Sequence, residues 1–119
     1  MKDNVEIYTM ALVRVIQDSR EYRAYNDAKR KLADMPELKR QINDYRKEMF
    51  RLQNYADEST LYEQLEEFSR QHEAFRRDTL VDEYLRTELA VCRMLQKAAR
   101  TVTNSVDLEL DDIAGELRS

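Results

Sequence analysis

Two side chains in this sequence are of the kind that attack, titrate or bind metal: His72 and Cys92, the single histidine and the single cysteine. A catalytic thiol wants a nearby base and an electropositive setting that favours its thiolate. A structural zinc site wants four Cys, His or carboxylate ligands. One His and one Cys do not make that set within one chain. Position 69, three before His72, is Ser, so the Glu-x-x-His pattern of di-iron helical bundles is absent. Both residues fall on apolar stripes at helical spacing. A packed histidine and a small buried thiol are therefore the better readings. A pH-sensitive contact at His72 is the minority alternative.

The seven tyrosines are the next group with a chemical use, since aromatic rings stack on bases. Tyr8, Tyr22, Tyr25, Tyr45 and Tyr84 again lie on apolar stripes, which points to packing with each hydroxyl at the rim. Tyr55 and Tyr62 flank a mid-chain break. Basic clusters occur at Lys29-Arg30-Lys31, Lys39-Arg40 and Arg76-Arg77, and in the series Arg86, Arg93, Lys97, Arg100. Acidic residues interleave with most of them, as on a solvated, salt-bridged helix face. The Arg93, Lys97, Arg100 row is the least neutralised. It is suited to an acidic partner or to the acidic stretch Asp107 to Asp112. No phosphate-binding glycine loop, nucleophile elbow or metal-spaced carboxylate set is present. The expectation is a non-enzymatic protein with no catalytic residue, metal or cofactor.

The elements that carry these residues are helices. The 119 residues include 1 Gly and 1 Pro, too few for a turn-rich fold. Charged residues make up 37% of the chain and apolar residues 42%, the latter regularly spaced, which favours ordered helices with one wet face. Val5, Tyr8, Leu12 and Val15 open the first stripe, and Tyr22, Tyr25, Ala28 and Leu32 continue it. Asp18-Ser19 either caps a new helix or is a polar turn within one long helix. Asp34-Met35-Pro36-Glu37 is the clearest break, with Asp34 as the expected cap and Pro36 in the first turn. Leu38, Ile42, Tyr45, Met49 and Leu52 form the next seam. Asn54 to Ser59 interrupts it, and Thr60 with Glu63 has the spacing of a capping box. Leu61, Leu65, Phe68, His72 and Phe75 follow, then Asp78 or Thr79 as a cap. The last seam is Val81, Leu85, Glu88, Cys92, Leu95, Ala99, Val102 and Val106. A short final helix or a frayed acidic tail is expected beyond Asp107.

These seams alternate four and three residues, the heptad rhythm of shallowly crossing helices. The expected fold is all-α: antiparallel hairpins or a bundle of about four to five helices, in a single domain 1–119. Short helices do not bury their stripes alone, so a homo- or hetero-oligomer is expected. The expected interface is Leu38, Ile42, Tyr45, Met49, Leu61, Leu65, Phe68, Phe75, Leu85, Cys92 and Leu95. The formal net charge of -4 gives no basic excess for phosphate binding, so no direct nucleic-acid partner is expected. No apolar run approaches the roughly 20 residues of a membrane span. The N-terminus does not read as a secretory signal, and one cysteine fits a reducing compartment, so a cytoplasmic location is expected.

Residues 11 to 54 and 80 to 102 resemble the YlbF/YmcA family, the control of competence regulator proteins of Gram-positive bacteria. The I-x-x-S-x-E-Y-x-x-Y-x-x-A core from Ile16 to Ala28 carries the resemblance, together with the Asp-x-Pro-Glu break at Asp34 to Glu37. The resemblance implies a helical, oligomerising regulator that acts with a YaaT-like partner. It also implies an association with the endoribonuclease RNase Y and with competence, sporulation and biofilm formation. Complexes of this kind have been linked to iron-sulfur clusters, but this chain supplies only Cys92, mid-helix, and no Cys-rich tail. A structural coiled-coil oligomer and an iron-sulfur-carrying subunit are the alternative readings.

Overall fold

The computed structural model describes residues 3–106 and 108. Every element among them is an α-helix: α1 (Asn4–Gln17), α2 (Arg20–Lys31), α3 (Pro36–Tyr55), α4 (Glu58–Gln71), α5 (Glu73–Arg77) and α6 (Thr79–Ser105). The acidic segment expected to form a final helix or frayed tail lies outside the described residues, Leu108 apart.

Six helices replace the expected four to five, and each extra boundary has a local cause. Residues 4–34 form two helices. The Ser19 hydroxyl accepts from the Tyr22 amide at 3.1 Å and donates to the Ile16 carbonyl at 2.6 Å, closing α1 and opening α2 with one side chain. The third seam divides at His72, whose backbone leaves helical geometry. Its Nδ1 lies 2.9 Å from the Phe68 carbonyl. A carbonyl only accepts, so Nδ1 carries the proton in this contact.

Two expected caps are displaced. The turn after α2 closes through the Met35 amide on the Leu32 carbonyl, 3.0 Å apart. Met35 therefore occupies the cap position in place of Asp34, and α3 starts at Pro36 with no side-chain cap. At α4 the cap is Asp57, whose carboxylate accepts from the Ser59 amide at 3.0 Å. Thr60 falls inside the helix and bonds back to the Asp57 carbonyl at 3.3 Å. A carboxylate is a stronger acceptor than a hydroxyl, and it wins the helix start. Asp78 caps α6 as expected, accepting from the amides of Leu80 and Val81 at 2.9 and 3.1 Å.

The core forms where α2, α3 and α6 meet. Ala28 and Leu32, Ile42, and Val81 and Tyr84 are buried against one another, with Tyr25, Leu38, Phe75, Leu80 and Leu85 packed around them. Each fully buried Ile, Val or Leu side chain contributes about 1.5–3 kcal/mol. A second, aromatic cluster joins α3 to α4 and α5. Tyr45 lies 5.0 Å from Phe68 and 5.6 Å from Phe75 between ring centroids, and His72 lies 4.2 Å from Phe68. Ion pairs tie the outer edges: Lys31 to Glu83 at 2.8 Å and Arg46 to Glu88 at 2.8 Å.

The radius of gyration is 19.0 Å. A compact chain of this length would measure about 14 Å. The helices therefore do not close on a single centre, and part of the apolar surface stays open.

Candidate interaction surface

α6 is the spine of the surface. Its first half is covered on one side by α2, α3 and α5, and Val81, Tyr84, Thr87 and Val91 are buried there. The stripe continues past the point where those helices end. Leu89, Leu95, Val102 and Val106 are exposed, and so is Cys92. Leu95 is 45% exposed and Val102 57%, high for apolar residues on an unbroken seam. α1 adds a second open stripe. Val5, Tyr8 and Val15 are 75%, 74% and 66% exposed, and no residue of α1 is buried. Scattered apolar exposure is ordinary; two contiguous stripes in one short chain make a candidate interaction surface.

Between these stripes runs a groove of about 600 Å³. Leu12 of α1 and Glu21 of α2 form one wall. Ala90, Met94, Ala98, Thr101 and Val102 of α6 form the floor, with Arg93 and Lys97 at the rim. Among the described residues, Arg93, Lys97 and Arg100 have no ion-pair partner, whereas Arg86, two turns before Arg93, pairs with Asp82.

The eleven expected interface residues divide into four groups. Leu38, Ile42, Phe75 and Leu85 belong to or line the α2–α3–α6 core, and Ile42 is wholly buried. Tyr45 and Phe68 meet in the aromatic cluster, where Phe68 is buried. Met49, Leu61 and Leu65 are half-buried on α3 and α4. Only Cys92 and Leu95 stand exposed, at the start of the open part of α6. Most of the seam residues are thus spent inside the chain. Absent from the expected set are Val5, Tyr8, Val15, Val102 and Val106. Their helical spacing is plain in the sequence; that they stay exposed among the described residues is not.

His72 and Cys92 part company. His72 is half-buried with its ring among Tyr45, Phe68 and Phe75. Cys92 is exposed, contrary to the small buried thiol expected of it, because the helices covering the first half of α6 stop short of its face. No cluster of three or more His, Cys, Asp or Glu with metal-binding geometry exists among the described residues.

The polar centre of the fold lies on the other side of α6. Lys39 Nζ donates to the Tyr84 hydroxyl at 2.5 Å and sits 3.8 Å from that ring's centroid. The Tyr25 and Tyr84 rings lie tilted against each other with centroids 5.6 Å apart and hydroxyls 3.4 Å apart. Burial, reinforced by the Tyr84 hydroxyl, pushes the Tyr25 phenol up to about 12. Burial also lowers the Lys39 ammonium from its ordinary value. The cluster joins α2, α3 and α6, and Lys39 also lines a shallow groove of about 380 Å³ together with Lys29, Leu32, Pro36, Arg40 and Asn43.

A family model described as control of competence regulator ComK, YlbF/YmcA, matches residues 7–107. The chain belongs to the YlbF/YmcA family. No curated protein matches it, and no solved structure does. The match takes in all of α2 to α6 and most of α1, so the groove and both open stripes, Val5 apart, lie within the YlbF/YmcA region. The description of the YlbF/YmcA family is regulatory rather than enzymatic. No helix among the described residues is long and apolar enough to cross a membrane.

Proposed function

We propose that this chain is a non-enzymatic regulatory adaptor, a single helical domain that self-associates and engages protein partners through the open stripes of α1 and α6. The observation that carries this reading is the α6 seam. Residues of its first half are buried by the chain's own helices, and its second half keeps the same apolar rhythm while Leu95, Val102 and Val106 stay exposed. A helix that stays apolar where its own fold leaves it bare is fitted to a partner helix. The first occupant is a second copy of the chain, since two such seams are mutually complementary at heptad spacing.

The regulatory description of the family supports a role carried out through other proteins. By the resemblance in the Ile16–Ala28 core, those partners are a YaaT-like protein and components of the RNase Y machinery, in a cytoplasmic setting. Affinity purification from the native host at endogenous level tests this. Recovery of a YaaT-like protein or RNase Y with the wild-type chain, and their loss with Leu95→Glu and Val102→Glu, is the expected result. Recovery of the chain alone contradicts the adaptor role.

A further inference from the structure

The outer side of α4 carries an aromatic ring between two acids. Tyr62 is 78% exposed, the highest value among the large apolar residues described. Glu58 lies one turn before it and Glu66 one turn after, and both are exposed. Neither carboxylate has an ion-pair partner among the described residues, whereas Glu67 on the same helix pairs with Arg70. The inner side of α4 is already used within the chain, with Phe68 buried and Leu61 and Leu65 half-buried.

The groove between α1 and the end of α6 has the opposite character. Its floor includes Ala90, Met94 and Ala98, and Arg93 and Lys97 stand at its rim. These two cations, with Arg100 on the same helical row, pair with no described carboxylate. Two alanines beside a flexible methionine suit a planar ring. Glu21 on the opposite wall is the one acid among the lining residues. We propose that α4 of a second copy of this chain fills the groove, with its Tyr62 ring over the Ala90, Met94 and Ala98 floor and its Glu58 and Glu66 facing the row of cations. The contact requires the self-association already proposed for the α6 seam, and adds to it a second interface of different chemistry.

Spacing and charge favour this occupant. Glu58 and Glu66 are about 12 Å apart along a helix rising 1.5 Å per residue, and Arg93 and Arg100 about 10.5 Å. Each copy owns one acidic helix and one basic groove, so a two-fold pair makes the contact twice. Exposed ion pairs contribute little singly. The buried ring therefore carries the affinity, while the charges set the register and disfavour α4 against α4 or groove against groove.

Sedimentation equilibrium of the full-length chain tests the contact through its self-association constant. Tyr62→Ala should weaken self-association about tenfold. A chain with Glu58→Lys and Glu66→Lys should weaken it to a similar extent, and so should a chain with Arg93→Glu, Lys97→Glu and Arg100→Glu. All these positions are exposed and none holds an ion pair among the described residues, so far-ultraviolet helicity should stay constant. The decisive sample is an equimolar mixture of the two charge-reversed chains, where each basic α4 meets an acidic groove. Wild-type strength should return there, and should be lost again when Tyr62→Ala is added to both chains. Reversals that change nothing, a mixture as weak as its components, or recovery that survives Tyr62→Ala overturns the proposal. Leu95→Glu reads the seam separately. Assembly lost with Leu95→Glu but untouched by either reversal removes this contact and leaves the seam standing, whereas a wild type that remains a single chain removes both.

Discussion

Lys39 Nζ sits against both the hydroxyl and the ring face of Tyr84, 2.5 Å from one and 3.8 Å from the centroid of the other. Tyr84 is almost fully buried, so this one lysine satisfies the polar tip of a core residue while its charge rests on the ring. The contact spans residues far apart in sequence and locks α3 onto α6. Tyr84→Phe removes the hydroxyl but keeps the ring, and is expected to cost about 1 kcal/mol. Tyr84→Ala opens a cavity at the junction of three helices and is expected to cost about 3–5 kcal/mol. Urea unfolding followed by circular dichroism separates the two.

The neighbouring Tyr25 gives the fold a defined alkaline limit. Its phenol titrates near 12 in the folded chain against an ordinary 10.0. Above pH 10 the unfolded chain loses this proton while the folded chain keeps it, so the unfolded state binds fewer protons and stability falls as pH rises. Lys39 acts in the opposite sense. Its lowered value means that the unfolded chain holds the proton longer, so its contribution rises with pH toward 10.5. Other groups titrate in the same range, so the test is a difference. The stability advantage of wild type over Tyr25→Phe should shrink steadily between pH 9 and pH 11 in urea titrations. A constant difference contradicts the burial of this phenol.

The helix starts were only partly legible before folding. Ser19 and Asp78 each realise one of two alternatives that the sequence left open, because a hydroxyl or carboxylate before an amphipathic run satisfies free amides wherever tertiary packing allows. Asp34 and Thr60 did not become caps, since a turn closing on Leu32 and a competing carboxylate at Asp57 shifted the starts. Ser19→Ala and Asp78→Ala should each cost about 1 kcal/mol. Asp34→Ala should cost less than about 0.5 kcal/mol, as an exposed turn residue without a capping bond. Thermal unfolding of the three variants checks the order.

The α6 seam shows where periodicity stops informing. Val81, Leu85, Cys92, Leu95, Val102 and Val106 share one rhythm, and spacing alone treats them as equivalent. The fold does not: Val81 is buried and Val106 lies bare. The difference depends on the lengths and directions of α2, α3 and α5, set by breaks at Pro36, Asp57 and His72 whose tertiary consequences are not local. The same holds for Ile42 and Phe68, interface candidates by type that the chain uses for its own core. The family resemblance in the Ile16–Ala28 core was legible because it rests on residue identities, and it agrees with the match over residues 7–107.

If the open half of α6 is an assembly surface, charge placed there should dissociate the assembly without loosening the fold. Leu95→Glu and Val102→Glu each replace an exposed apolar residue that is not part of the buried core. Each is expected to lower the assembly mass while leaving monomer helicity and the far-ultraviolet signal unchanged. Ile42→Glu, at a wholly buried position, should instead unfold the chain. Circular dichroism of the three variants distinguishes an interface from a core.

The central claim, that the bare seam of α6 exists to be covered by another helix, is tested most directly by light-scattering mass at micromolar concentration. One chain weighs 14.3 kDa. The account predicts a whole-number multiple of that mass for wild type and a fall toward a single chain for Leu95→Glu. A wild-type mass of one chain, unchanged by the substitution, would contradict it.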